Sequence, residues 1–281
     1  MPGVVRAARR PDGWVPPGPK PAGALGRPEL EPKDDEDLCY LSGDWRLFQK
    51  LKGHRWSVDD LVTAWTAAEH FESLRGAAPV HGLDLGCGLG SVLLMVAWKA
   101  PDFDVTGVEA QPERASMARR SIAFNGVEGR CRVLDGDLRS LELGRRFALV
   151  TGTPPYFPRG TGTEAAAEHV SACRFEHRGG VEAYLEAAER HLADDGVFVM
   201  CAAQQEDARV EAFRSPLFVR GLRHIVPRTG KAPLLSVWRF ARRPGAVVRD
   251  ALVIRDERGQ WTDAFRQVRR ELGLPDAPPR R

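Results

Sequence analysis

The chain has 281 residues, of which 43% are hydrophobic and 28% are charged, values typical of a soluble globular protein. No stretch approaches the roughly 18 consecutive apolar residues of a membrane span, so we predict no membrane association. The net charge is only +3, yet residues 214–281 hold 16 Lys and Arg against six Asp and Glu, a net charge of +10. The first 213 residues therefore carry −7, and this asymmetry favours a polyanionic partner such as a nucleic acid over a merely solvated basic surface.

The five cysteines are widely spaced, odd in number and never in a C-x-x-C pair, which favours reduced thiols in a cytoplasmic protein. The histidines show no ligand spacing, so we predict no metal site. We expect a monomer.

The first 37 residues are dense in Pro and Gly and end in an acidic run, so we predict a disordered tail. Residues 38–75 are predicted to form a helical lid segment. Its main helix begins at Ser57, a candidate N-cap that Asp59 and Asp60 follow in the first turn. Capping explains these acids, and a second interpretation places Asp59 against a ligand that the next elements bind.

Residues 80–109 have the pattern of a strand, a glycine turn, a buried helix and a second strand, which predicts a βαβ unit. The turn has G-x-G-x-G spacing, formed by Gly86, Gly88 and Gly90. Such a turn lets the backbone approach a ligand and begins the helix with free N–H groups. The dinucleotide fingerprint G-x-G-x-x-G fails here, because Ser91 occupies its third glycine position.

Two carboxylates flank this turn, Asp84 before the first glycine and Glu109 at the end of the second strand. Acidic groups suit a ligand without phosphates. S-adenosylmethionine has none, carries a cationic amino group and sulfonium, and offers ribose hydroxyls that Glu109 can accept from. We therefore predict S-adenosylmethionine as the cofactor; the alternative is a glycine-rich turn without a ligand.

A helix over residues 111–125 and a strand over 130–134 follow, and Asp137 lies in the turn after that strand. It is a candidate acceptor for the adenine amine of the cofactor, although an acid in a turn also needs no ligand. Because ligands of open α/β sheets lie beyond the carboxyl ends of the strands, Asp84, Glu109 and Asp137 are expected at one edge.

The next strand, over residues 147–151, runs into the sequence TPPYF. Two prolines cannot continue a strand ladder, so the chain must leave the sheet there. A flat base on the ring of Tyr156 or Phe157, with its amine donating to the Thr153 hydroxyl and to a backbone carbonyl near Pro154, would face the methyl donor. The alternative is a rigid proline turn with an aromatic residue in the core.

The remaining pattern predicts a doubly wound α/β fold with a mostly parallel, seven-stranded sheet and an antiparallel edge hairpin. The expected domains are the tail (1–37), the lid segment (38–75), the main domain (76–245) and a C-terminal hairpin-helix extension (246–281).

The ordered motifs DLGCGLG, GVEAQ, DGDL and TPPYF resemble those of class I S-adenosylmethionine-dependent methyltransferases. More closely, RWSVDDLVTAW, GTPPYFPRGTGT, GKAPLLSVWRF and the C-terminal LVIRDERGQWTD resemble the bacterial tRNA adenine-N6 methyltransferase family, which modifies the adenine 3′ of the anticodon of a valine tRNA. The resemblance spans about residues 45–274.

This resemblance implies cofactor contacts and target-base contacts at specific positions. It assigns the cofactor to Asp84, Gly86 and Gly88, its ribose to Glu109, its adenine to Asp137, and the target base to Pro154, Pro155 and Tyr156. Where the family usually has Asn before the two prolines, this chain has Thr153, which keeps an acceptor with shorter reach.

The predicted function is methyl transfer to an adenine amine in RNA, specifically tRNA. One alternative is a protein glutamine methyltransferase acting on release factors, since such enzymes share a Pro-Pro-Tyr turn. Another is an RNA-binding module that has lost catalysis, which the Thr153 substitution motivates.

Overall fold

The structure, a computed structural model, describes residues 3–7, 10–53, 55–75, 79–155 and 179–276. Its strands are β1 (Val4–Val5), β2 (Glu36–Tyr40), β3 (Arg46–Lys50), β4 (Val80–Leu85), β5 (Phe103–Glu109), β6 (Cys131–Asp135), β7 (Phe147–Gly152), β8 (Leu192–Ala203), β9 (Phe218–Val226), β10 (Leu235–Ala241) and β11 (Val248–Val253). Its helices are α1 (Val58–Ala68), α2 (Phe71–Leu74), α3 (Ser91–Lys99), α4 (Pro112–Asn125), α5 (Val181–His191), α6 (Asp207–Ala212) and α7 (Asp263–Glu271).

Eight strands form one sheet in the order β11-β9-β10-β8-β7-β4-β5-β6. Strands β8, β7, β4, β5 and β6 are parallel neighbours, while β10 is antiparallel to both β8 and β9. The predicted doubly wound fold is confirmed, but the sheet has eight strands and not seven. The extra strand is β11, which pairs in parallel with β9, so the β9–β10 hairpin lies inside the sheet and not at its edge.

Helices cover both faces of the sheet because its central strands bury side chains on both sides. Val105 of β5 and Leu149 of β7 lie in a buried cluster with residues of α1, α3 and α4. Leu83 of β4 and Val150 of β7 lie in a second cluster with residues of α5. This burial explains why the central strands are nearly continuous apolar runs.

The segment before α1 contains a β-hairpin that the sequence analysis assigned to the tail and the helical lid. Strands β2 and β3 are antiparallel, and β1 pairs in parallel with β2. The acidic run predicted a solvent-exposed segment, yet Asp37 is fully buried. Its carboxylate accepts hydrogen bonds from Arg6 Nε at 2.8 Å, Gln49 Nε2 at 2.9 Å and Arg55 Nη1 at 2.9 Å. Distant arginines make burial of this acid possible, and no local pattern reveals them.

Residues 10–31 also differ from the disordered tail expected for their composition, because they pack on α4. Leu30 is buried, and Gly23 N–H donates to the Phe124 carbonyl at 2.9 Å. Arg120 of α4 donates to the carbonyl oxygens of Glu29 and Glu31, each at 2.6 Å. Backbone carbonyls thus hold the segment in a way that side-chain composition does not predict.

The C-terminal extension is built into the main domain. Helix α7 packs into the same buried cluster as α1 and α3, through Phe265, Val268 and the C-cap residue Leu272. Glu271 accepts a hydrogen bond from Trp65 Nε1 at 2.7 Å. No helix among the described residues combines the length and the apolar character that crossing a bilayer requires.

Candidate active site

The chain order of the sheet reverses between β4 and β7. Strands β5 and β6 lie on one side of β4, and β7 lies on the other, which is the point where open α/β sheets bind ligands. A cleft of about 870 Å³, partly open to solvent, lies beyond the carboxyl ends of these strands.

The glycine turn after β4 forms one wall of the cleft. Gly86 and Gly88 have φ angles of +58° and +56°, which disfavour any other residue. A Cβ atom on Gly86 would lie 2.3 Å from Tyr184 Oη, whereas a Cβ on Gly88 would meet nothing closer than Arg114 Nη1 at 3.9 Å. The backbone at Gly88 is therefore open to a ligand. Gly90, the N-cap of α3, does not line the cleft and instead packs against α4.

Glu109, at the end of β5, is 5% exposed and lines the cleft. Its Oε2 accepts from Gly88 N–H at 2.9 Å, and its Oε1 accepts from Gln111 N–H at 2.8 Å. A carboxylate has about four acceptor positions, so Glu109 can hold the glycine turn and still accept from a ligand hydroxyl.

Asp84 lies beneath the cleft and does not line it, in contrast to the expected cofactor contact. It is 2% exposed, and its two oxygens accept from Thr151 Oγ1 at 2.7 Å and from Leu93 N–H at 3.2 Å. Burial raises the pKa of this carboxyl to about 6, although the hydrogen bonds from Thr151 and Leu93 act to lower it. Its contacts join β4, β7 and α3 under the site.

The first turn of α1 supplies two acids to the cleft, Asp59 and Asp60. Ser57 is the N-cap, as predicted, and its N–H donates to Asp60 Oδ2 at 2.8 Å while its hydroxyl donates to Asp59. Asp60 Oδ1 also accepts from Ser91 Oγ at 2.8 Å. Burial and the nearby Asp59 charge raise the pKa of Asp60 well above its usual value. The acids thus cap the helix and line the cleft at once.

Asp137 also lines the cleft, but its carboxylate has a partner that the sequence did not indicate. Arg139 Nε donates to Oδ1 at 2.9 Å, and Arg139 Nη2 donates to Oδ2 at 2.6 Å. This ion pair fixes the orientation of the carboxylate at the rim.

The exit from β7 forms the opposite wall. Thr153, Pro154 and Pro155 line the same cleft as the glycine turn, as the sequence predicts for a shared site. Tyr156 and Phe157, the predicted platforms for the target base, lie outside the described residues.

Sequence reasoning missed two residues of the cleft, Tyr184 of α5 and Arg114 of α4. Tyr184 is buried between the two walls, and a Cβ on Gly152 would lie 2.6 Å from its ring. Burial raises the pKa of its hydroxyl and lowers the pKa of the Arg114 guanidinium. No local signal marks either residue, because the contacts join segments far apart in the chain.

The charged side chains that line the cleft are mostly acidic: Asp59, Asp60, Glu109 and Asp137, against Arg114. This balance favours a cationic ligand over a phosphate-bearing one. Among the described residues no group of three or more His, Cys, Asp or Glu side chains is arranged to hold a metal ion. Cys39, Cys87, Cys131 and Cys201 are buried free thiols, and Cys173 lies outside the described part of the chain.

Residues 83–170 match the family described as a methyltransferase domain. The chain is 25% identical over 217 residues to the tRNA1(Val) (adenine(37)-N6)-methyltransferase of Haemophilus influenzae, an alignment that covers 76% of this chain and 88% of the relative. The enzyme of the same name from Porphyromonas gingivalis is 28% identical over 219 residues, covering 73% of this chain and 82% of the relative.

Solved structures share the fold. A predicted O-methyltransferase from Agrobacterium tumefaciens superposes with a TM-score of 0.57 at 20% identity, covering 75% of this chain and 97% of that one. The methyltransferase subunit of a type I restriction-modification system from Streptococcus thermophilus gives a TM-score of 0.51 at 15% identity, covering 71% of this chain and 48% of that one.

Proposed function

We propose that this chain, an S-adenosylmethionine-dependent methyltransferase, transfers the methyl group to the exocyclic amine of an adenine in tRNA. The observation that carries the proposal is the single cleft that the glycine turn and the Thr153-Pro154-Pro155 exit share. The similarity to tRNA adenine-N6 methyltransferases over about three quarters of the chain supports the choice of substrate.

The residues of the cleft fit the cofactor. Bound S-adenosylmethionine supplies a methyl carbon activated by a sulfonium. The Gly88 backbone is open on the cleft side, Glu109 would accept from the ribose hydroxyls, and Asp59 and Asp60 would meet the cationic methionine end. Asp137, held by Arg139, accepts from the adenine amine at the rim. Asp84 supports the walls from below.

The opposite wall prepares the target amine. The lone pair of an exocyclic adenine amine is delocalised into the ring, so the nitrogen is a weak nucleophile. Oxygen acceptors at Thr153 and in the Pro154 backbone draw the N–H bonds out of the ring plane, localise the lone pair and meet the positive charge that develops on nitrogen. No strong base is needed, because the new ammonium group releases its proton readily.

The basic C-terminal region supports an RNA substrate, although only part of its charge faces solvent. Arg223 and Arg239 are buried and pair with Glu69, whereas Arg255 and Arg258 are exposed. Deleting residues 249–281 would remove most of β11 and all of α7 from the core, so point substitutions are the appropriate test of RNA binding.

The direct test is incubation of the purified protein with labelled S-adenosylmethionine and total RNA, followed by nucleoside analysis. The expected product is N6-methyladenosine in the tRNA fraction. Label in a release factor, or none in RNA despite cofactor binding by calorimetry, would contradict the proposal.

Thr153→Val gives a sharper version of this test. Valine keeps the shape of the threonine side chain and removes its hydroxyl acceptor. Turnover should therefore fall about 10- to 100-fold, the cost of a lost hydrogen bond to a charged group, while the cofactor Kd stays unchanged. Thr153→Ser, which keeps the hydroxyl, is the matched control. Equal turnover of the Val and Ser variants would exclude Thr153 as the acceptor.

A further inference from the structure

A second cavity lies between the N-terminal segment and α7, outside the cleft. We call it the aromatic pocket, defined by Arg10, Trp14, Tyr40, Trp56, Trp261 and Arg269. All six side chains are partly exposed, and the empty space between them is about 730 Å³, a value that includes space open to solvent. Its lining has two arginines and no Asp or Glu, the reverse of the cleft.

Arg269 is the key residue of the aromatic pocket. Its guanidinium lies 4.1 Å from the Trp261 ring centroid, and its Nε donates to the Pro275 carbonyl at 2.6 Å. Among the described residues no carboxylate lies within ion-pair distance of it, whereas the next residue, Arg270, pairs with Asp276 at 3.0 Å. Burial lowers the pKa of Arg269 to about 10, and the charge of Asp276, which is paired with Arg270, opposes this shift only in part. A partly buried cation without an ion-pair partner of its own favours an anionic ligand.

The aromatic side chains add a second requirement on the ligand. Arg10 lies 5.0 Å from the Trp14 ring centroid and 4.3 Å from that of Tyr40, and Arg46 lies 3.6 Å from the Tyr40 centroid, so two guanidinium groups already contact the tyrosine ring. Arg10 itself is neutralised by Asp44 at 2.7 Å. Partly exposed rings beside an available guanidinium are the arrangement that stacks unpaired bases and holds their phosphates.

The aromatic pocket is close to the cleft along the chain. Trp56 immediately precedes Ser57, the N-cap of α1, and Asp59 of the same turn lines the cleft. Trp56 and Asp59 are three positions apart in the chain, so their α-carbons are at most about 11 Å apart. A nucleotide in the aromatic pocket and a target base in the cleft can therefore belong to one strand.

We propose that the aromatic pocket binds an unstacked nucleotide that flanks the target adenine in the RNA substrate, with its base on the tryptophan rings and its phosphate on Arg269. This inference rests on the proposed function. It adds a subsite that selects single-stranded RNA whose neighbouring base can leave the stack. A free mononucleotide has the same chemistry, so the test must separate the two sources.

The test measures binding of a labelled tRNA transcript to the full chain by fluorescence anisotropy. Arg269→Gln keeps the side-chain stem and a donor for Pro275, and should raise the RNA Kd about tenfold or more. Trp261→Leu and Trp14→Leu should each raise it roughly 5- to 150-fold, the cost of lost base stacking. The matched control is Arg146→Gln, an exposed arginine immediately before β7 that pairs with Asp194 and lies outside the cleft, the aromatic pocket and the basic C-terminal region, with an expected change below about threefold. All variants should have the same Kd for S-adenosylmethionine in calorimetry and the same melting temperature.

A set of transcripts with single abasic sites near the target adenine completes the test. One abasic position should weaken binding to the unaltered chain, and this penalty should disappear in Trp261→Leu, because the base has lost its partner. Competition by adenosine monophosphate at concentrations near those of the RNA would instead favour a free nucleotide and overturn the RNA subsite.

Two outcomes are distinguishable. Binding of S-adenosylmethionine without binding of any RNA would overturn the proposed function and the subsite together. Methylation of tRNA with equal RNA affinities for Arg269→Gln and Arg146→Gln, and with no abasic penalty that depends on Trp261, would overturn the subsite alone.

Discussion

The cleft and the aromatic pocket are neighbours with opposite character. The cleft lies at the carboxyl ends of parallel strands and has four acids against one arginine, whereas the aromatic pocket has two arginines and no acid. The proposed function and the proposed subsite place the cationic cofactor and the uncharged target base in the cleft, and the phosphate of the flanking nucleotide in the aromatic pocket. The carboxylates of the cleft repel phosphate groups, so the charge pattern favours this arrangement.

Their architecture differs as well. The cleft depends on backbone geometry, because glycines and prolines shape both of its walls. The aromatic pocket depends on side chains from the two ends of the chain, from Arg10 to Pro275. Substitutions should therefore affect methyl-donor binding in one region and RNA binding in the other, with little cross-effect.

The largest expected effect comes from Gly86→Ala, which should distort the glycine turn that forms one wall of the cleft. Alanine at φ +58° is strained, and its Cβ would lie 2.3 Å from Tyr184 Oη. We expect a loss of about 2–5 kcal/mol in the free energy of unfolding, measured by urea denaturation, and loss of cofactor binding. In a Tyr184→Phe background, the missing hydroxyl should restore part of that stability. An identical cost in both backgrounds would mean that the clash is not the cause.

A smaller effect is expected at Glu109, which sharpens the cofactor side of the comparison. Glu109→Ala removes the acceptor of the Gly88 and Gln111 N–H groups and should weaken cofactor binding by about 1–3 kcal/mol in calorimetry. Glu109→Gln keeps one acceptor oxygen and should lose less cofactor affinity than Glu109→Ala. RNA affinity without cofactor should be unchanged, and a parallel loss of RNA binding would show that the two regions are coupled.

The next effect is on stability and comes from Asp84, which supports the cleft without lining it. Its folded-state pKa, raised to about 6 by burial, lies above the usual value, so the folded chain binds the proton more tightly. Its contribution to stability is therefore largest at low pH and falls as pH rises through about 6. From pH 4 to 7 the unaltered chain should lose about 2 kcal/mol relative to Asp84→Asn in urea denaturation. A constant difference across that range would contradict the raised pKa.

The elements that line the cleft were largely predictable from the sequence. Strand β5 ends at Glu109 and the next helix ends at Asn125, as predicted, and that helix begins at Pro112, one residue later than expected. Its end was predictable because Gly126 is a local C-cap signal. The cleft itself follows from a general property of parallel sheets, whose carboxyl ends converge at one edge.

The features that the sequence did not reveal depend on contacts between distant segments. The acidic run before Leu38 indicated disorder, yet Asp37 is buried in β2 because Arg6 and Arg55 neutralise it. Tyr184 and the aromatic pocket were missed for the same reason. The net charge of the C-terminal region likewise did not reveal which arginines face solvent. Arg223, for example, is buried and paired with Glu69.

The smallest expected effect distinguishes the two regions by their response to pH. The pKa of Asp60 is raised by burial and by Asp59, so its carboxylate becomes protonated, and loses the charge that meets the cofactor, at a higher pH than an ordinary Asp. Cofactor affinity should therefore fall a few-fold as pH decreases through that raised pKa, and Asp60→Asn should bind more weakly without this dependence. Arg269 stays charged throughout, because its pKa is about 10, so RNA affinity at fixed salt should not follow the same curve. Calorimetry for the cofactor and anisotropy for RNA, measured over the same pH series, make the comparison; coincident curves would mean that one set of groups controls both ligands.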